Sequence, residues 1–89
     1  EFDRAERLVL YRNGKILQSI EASAFMIRSW GFWEKGTQVV IYSSGLHFAG
    51  EYDLYDVKSG VLLETALDPV TSHSPDWVRS LQPASATEQ

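Results

Sequence analysis

The sequence predicts a mainly β fold, an antiparallel meander of about six strands with one short C-terminal helix. Its parts are two hairpins and a long aromatic strand. Three observations carry this. Asn13-Gly14 separates two runs rich in β-branched and aromatic residues. Further runs of that kind are punctuated by glycines rather than by helical periodicity. Ser74-Pro75-Asp76 then supplies a helix start near the end of the chain.

Arg7–Arg12 forms the first strand, with apolar residues on both faces. Asn13-Gly14 suits a tight primed turn because both residues accept positive φ. Lys15–Ile20 returns, and strict alternation places Ile16, Gln18 and Ile20 on one face. Glu21–Ala24 is one helical turn or a plain loop. Phe25–Trp33 reads as a strand, because its aromatic and branched residues fit a pleated surface. Gly31 within it marks a bulge or a close backbone approach.

Glu34–Gly36 turns the chain into Thr37–Ser43, where Val39 and Ile41 face one way and Val40 and Tyr42 the other. Apolar residues on both faces predict an interior strand covered on both sides. After a connection through Leu46–Gly50, Tyr52–Val57 and Val61–Leu67 form the second hairpin around Lys58–Gly60. Asp68-Pro69 ends it. Ser74 reads as an N-cap, Pro75 as the first helical residue and Asp76 as a first-turn acid. Trp77 and Leu81 lie four apart and dock the helix against the sheet. The expected organisation is one small domain over residues 1–82, with 83–89 a solvated, disordered tail.

The stretch from Ser29 to Glu64 resembles a WD40-like propeller blade. An aromatic run, Ser29–Trp33, leads through an acidic-Gly turn to the apolar Val39–Ile41. Leu54-Tyr55-Asp56 then stands where the family has Leu-Trp-Asp, followed by Ser59-Gly60 and an apolar return. The resemblance implies a four-stranded antiparallel blade and assigns no functional residue. Propellers close with about four or more such blades. The chain has strands for roughly one and a half, and the Gly-His pair common at blade starts is absent. Three arrangements accommodate this: a fragment, an oligomer of blade-like units, or an independent antiparallel sheet, which is the one favoured.

Composition narrows the function. With no cysteine there is no disulfide and no thiolate zinc site. The net charge of −4 is uneven: residues 1–45 hold six basic and five acidic groups, residues 46–89 two and seven. Nothing clusters Lys or Arg along the chain, so nucleic acid is not an expected partner. No apolar run reaches the roughly 18 residues of a membrane span, so no membrane insertion is expected. A soluble protein is expected, cytoplasmic or exported with its signal removed; Glu1-Phe2-Asp3 is compatible with a trimmed start.

Candidate chemistry is sparse. His47 and His73 lack metal-ligand spacing, so neither a metal nor a cofactor is expected. Asp53 and Asp56 differ by an odd number and face opposite sides of a strand. Glu51 and Asp53 share a side, expected to be a solvated face. Asp56 suits a hydrogen bond to the turn after it. Ser43-Ser44-Gly45 is no nucleophile elbow, and no catalytic residue is assigned.

The candidate binding residues are Arg28, Trp30, Phe32, Trp33, His47, Phe48 and Tyr52. Tryptophan offers large area and an N–H donor at interfaces. Alternation puts Trp30 and Phe32 on one face with Arg28, and Trp33 on the other. The leading reading is a non-catalytic binding or assembly module using this strand and a free sheet edge to bind a protein partner or a copy of itself. A small-ligand pocket lined by Trp30, Phe32, Phe48 and Tyr52 is the second reading. An enzyme using His47 with a carboxylate is the third.

Overall fold

The computed structural model describes residues 6–45 and 50–81. Six antiparallel strands are followed by one helical turn. The strands are β1 (Arg7–Arg12), β2 (Lys15–Glu21), β3 (Met26–Trp33), β4 (Gln38–Ser44), β5 (Glu51–Asp56) and β6 (Leu62–Leu67), and the helix is α1 (Asp76–Arg79). β1 and β2 form a hairpin, and β3-β4-β5-β6 form a four-stranded meander in sequence order. The mainly β expectation therefore holds. The expected tail at 83–89, His47 and Phe48 lie outside the described residues.

The meander is the middle of three layers. β4 is interior, and Val39, Val40 and Ile41 are all fully buried. Successive side chains of a strand alternate faces, so Val39 and Ile41 meet one partner and Val40 the other. On the first face the hairpin lays Leu8, Leu10 and Ile20 against Val39, Ile41, Tyr55 and Val57. On the second face Trp77 and Val78 of α1 close over Val40, Tyr52 and Leu54, with Trp33, Tyr42 and Leu81 packed alongside. Two small cores thus share one sheet.

The hairpin is joined to the sheet by polar contacts as well. Gln18 Nε2 donates to the carbonyl of Val57 at 3.1 Å. The turn behind β1 has Asn13 at φ 54° and Gly14 at φ 79°, the left-handed pair that Asn-Gly accommodates. Register departs from strict alternation, however. Tyr11 pairs with Ile16 and Leu10 with Gln18, which leaves Leu17 as an extra residue on β2. Ile16 is thereby turned outward and exposed, away from the face of Gln18 and Ile20.

The helix starts one residue later than its sequence suggests. Pro75, at φ −59° and ψ 155°, is the cap residue and offers no side-chain bond. Ser74 Oγ instead accepts the Thr71 N–H at 2.9 Å, closing the turn before the helix. Trp77 Nε1 donates to Glu64 Oε1 at 3.0 Å, which fixes this single turn against β6. Gly31 is a close approach, not a bulge: a Cβ there would lie 3.1 Å from Leu81 Cδ2.

Candidate functional site

The aromatic strand is divided by the sheet. Trp30 pairs with Ile41 and Phe32 with Val39, so both stand on the hairpin side of β3. They lie beyond the hairpin's cover, 43% and 51% exposed, in an edge-to-face contact with centroids 5.5 Å apart. Trp33 points to the helix side and joins the second core.

Arg28 does not share the face of Trp30 and Phe32, which corrects the alternation argument. Ile27 pairs with Ser43 and Ser29 with Tyr42, so Arg28 is the inserted residue of a bulge. Its Nε donates to Ser44 Oγ at 2.9 Å, beside Tyr42. Tyr52 is buried on the helix side, stacked on Tyr42 with centroids 4.3 Å apart. Trp30 and Phe32 therefore stand on one side of the sheet and Tyr52 on the other, and the structure does not bring them together.

The carboxylates of β5 also depart from expectation. Asp53 and Glu51 do share a side, but Asp53 is 0% exposed and the face is not a solvated one. The loop after β2 covers it: Ser23 Oγ donates to Asp53 Oδ2, and Thr65 Oγ1 donates to Oδ1 at 2.9 Å. Glu51 is pushed above its ordinary range by its hydrogen bond with Asp53, then by burial and by the Asp53 charge. Tyr55 beside them is raised chiefly by burial. This cluster has its hydrogen bonds satisfied within the fold, because buried polar groups need partners. Among the described residues no three His, Cys, Asp or Glu converge on a metal position. Asp56 does bond its turn, accepting Ser59 N–H and Ser59 Oγ at 2.9 Å each.

Two surface features emerge that the residue order did not display. The first is β6, the last strand of the sheet. Leu62, Leu63 and Leu67 on it are exposed, as is Val61 just before it. The opposite edge is partly occupied, since Glu6 Oε1 accepts the Ile27 N–H at 2.8 Å and Glu6 N–H reaches Phe25 O at 3.1 Å.

The second is a cleft of about 540 Å³ at the end of the sheet where three turns meet. Arg12 comes from the hairpin, Lys35 from the β3–β4 turn and Lys58 from the β5–β6 turn. Leu17 and Val57 form its apolar wall. A smaller adjoining hollow shares Arg12 and Leu17 and adds Tyr11 and Phe32. These cations are more than twenty residues apart in sequence, so only the strand pairing gathers them.

The chain matches no protein-family model, no curated protein and no solved structure.

Proposed function

We propose that the chain is a non-catalytic assembly module whose β6 edge pairs with β6 of a second copy. One observation carries the reading: an edge strand with apolar side chains on exposed positions, whose one charged residue, Glu64, is engaged by Trp77 of the helix. The strand Leu62–Leu67 contains neither Lys nor Pro, the usual devices that keep an edge from pairing. Its outer N–H and C=O groups are a template for another strand, and the leucines beside them gain by burial. Two β6 strands pairing antiparallel about a two-fold axis form a closed contact that stops at two copies. The meander then continues as eight strands through the joint.

The half-exposed pair of Trp30 and Phe32 lies at the other edge and suits contact with a protein partner, since edge-to-face aromatics combine large area with little freedom to lose. The satisfied state of the Asp53 cluster and the lack of a converging metal set among the described residues favour binding over catalysis.

Light scattering after size-exclusion chromatography, over a range of concentrations, tests this directly. The expected result is a dimer that Leu62→Lys or Leu67→Lys converts to a folded monomer. A native chain that stays monomeric at every concentration overturns the assembly reading.

A further inference from the structure

We infer that the cleft between the three turns binds a small anionic ligand, a phosphate or carboxylate group carried on an apolar body. The chain as a whole is acidic at −4, yet Arg12, Lys35 and Lys58 line this one cavity. Among the described residues the ion pairs are Arg7 with Glu21 and Arg79 with Asp76, and neither involves these three cations. The single carboxylate in the wall, Asp56, accepts bonds from Ser59 of its own turn, which hold it below its ordinary range with help from the nearby Lys58 charge. This leaves Arg12 and Lys35 without a carboxylate of their own in the wall. One negative charge thus stands against three positive ones.

Size and lining agree with a small molecule. A volume of about 540 Å³ falls within the range typical of ligand clefts. Leu17 and Val57 offer an apolar wall, continued by Tyr11 and Phe32 in the adjoining hollow. An anionic head therefore has cations to meet and an apolar body has a surface to cover. Gln18, next to Leu17, ties the hairpin to the Val57 side of the wall through its side-chain amide, which binds the Val57 carbonyl at 3.1 Å.

The β3–β4 turn supplies an independent argument. Glu34 and Lys35 both adopt left-handed φ, 53° and 58°, before Gly36 at 86°. That region is unfavourable for residues with a Cβ and easy for glycine or asparagine. The β1–β2 turn meets the same demand with Asn13-Gly14. The β3–β4 turn instead holds a lysine in the strained position, where it lines the cleft. Non-glycine residues held in strained backbone cluster at ligand clamps and active sites.

The test separates the two contributions of Lys35. In the native chain, phenyl phosphate is titrated while backbone amide resonances are followed, with benzoate and inorganic phosphate titrated in parallel. Saturable shifts at Gly36, Thr37 and Val57 are expected, weakening with added salt. Inorganic phosphate should bind more weakly than phenyl phosphate, and the benzoate comparison distinguishes a phosphate head from a carboxylate. Lys35→Gly should weaken binding roughly tenfold, as loss of one charge-assisted contact does, while raising the urea midpoint because the turn is relieved. Lys15→Gln, the same charge change outside the cleft lining, should leave binding unaltered.

Shifts spread evenly over the surface, or equal losses in Lys35→Gly and Lys15→Gln, overturn the proposal. So does the absence of saturable shifts. Tighter binding of a single-stranded oligonucleotide, with a footprint running beyond the cleft, replaces the small ligand by a nucleic acid.

Discussion

The hydroxyl of Tyr42 donates to Asp68 Oδ2, and the same oxygen accepts the Gly50 N–H at 3.0 Å. One carboxylate beyond β6 thus holds a side chain of β4 and the backbone that leads into β5. The Tyr42 hydroxyl is pushed up to about 12 from 10.0, first by that hydrogen bond, then by burial and by the Asp68 charge.

This link predicts an alkaline weakness. The unfolded chain releases the Tyr42 proton near 10.0, whereas the folded chain keeps it until about 12. The stabilisation is complete below the lower value and is lost as pH rises through the higher one. Urea midpoints of the native chain and Tyr42→Phe, compared at increasing alkaline pH, should converge. Parallel curves for the two proteins would show that the hydroxyl plays no such part.

Gly50 predicts a steric cost. A Cβ at this position would overlap the Tyr42 ring, a rigid body that cannot swing aside cheaply. Gly50→Ala should destabilise by about 2 kcal/mol, the usual scale of overpacking. The same change made on Tyr42→Ala should cost much less. Additive effects in that double-mutant cycle would refute the steric account.

Glu51 predicts the opposite end of the pH scale. Its carboxyl is raised above 4.5 by Asp53, so the fold favours the protonated form. That contribution is full below 4.5 and declines as pH rises through the elevated value. Glu51→Gln keeps a donor toward Asp53 and removes the titration. Chemical denaturation should find the variant the more stable at neutral pH, with a flatter profile on the acid side. A variant less stable than the native chain at neutral pH argues against the assignment.

The aromatic strand predicts unequal consequences for neighbours in sequence. Trp33→Ala removes a ring from the second core and should cost about 3 kcal/mol. Trp30→Ala and Phe32→Ala remove half-exposed rings and should each cost about 1 kcal/mol. Thermal unfolding of the three variants distinguishes them, and a Trp30 loss as large as that of Trp33 would mean a deeper burial than the structure has.

Much of this architecture is legible in the residues. Asn13-Gly14 dictates its hairpin by backbone preference alone, and Val39–Ile41 declares an interior strand by being apolar on both faces. The misplacements of Ile16 and Arg28 have a common physical origin. Each lies at or beside a bulge, and a bulge depends on which residue of the partner strand pairs with which. A one-residue shift reverses every face beyond it. The burial of Asp53 escaped for another reason: its cover, Ser23, lies thirty residues away in sequence. The cation cleft is likewise a product of three turns meeting, with no local pattern to announce it. The aromatic run is contiguous and so stands out along the chain, whereas these groups are dispersed and meet only through the fold.

The alternation of Val39, Val40 and Ile41 has a thermodynamic consequence. Each core owns only part of β4, and the peptide units between these residues belong to both. Shedding the hairpin would expose Val39 and Ile41 and remove one wall from the strand that supports α1. Neither layer has an equilibrium of its own to follow. The two faces should melt together in a single calorimetric transition, with van't Hoff and calorimetric enthalpies equal, and a ligand held at the hairpin side would stabilise the helix on the far side to the same extent.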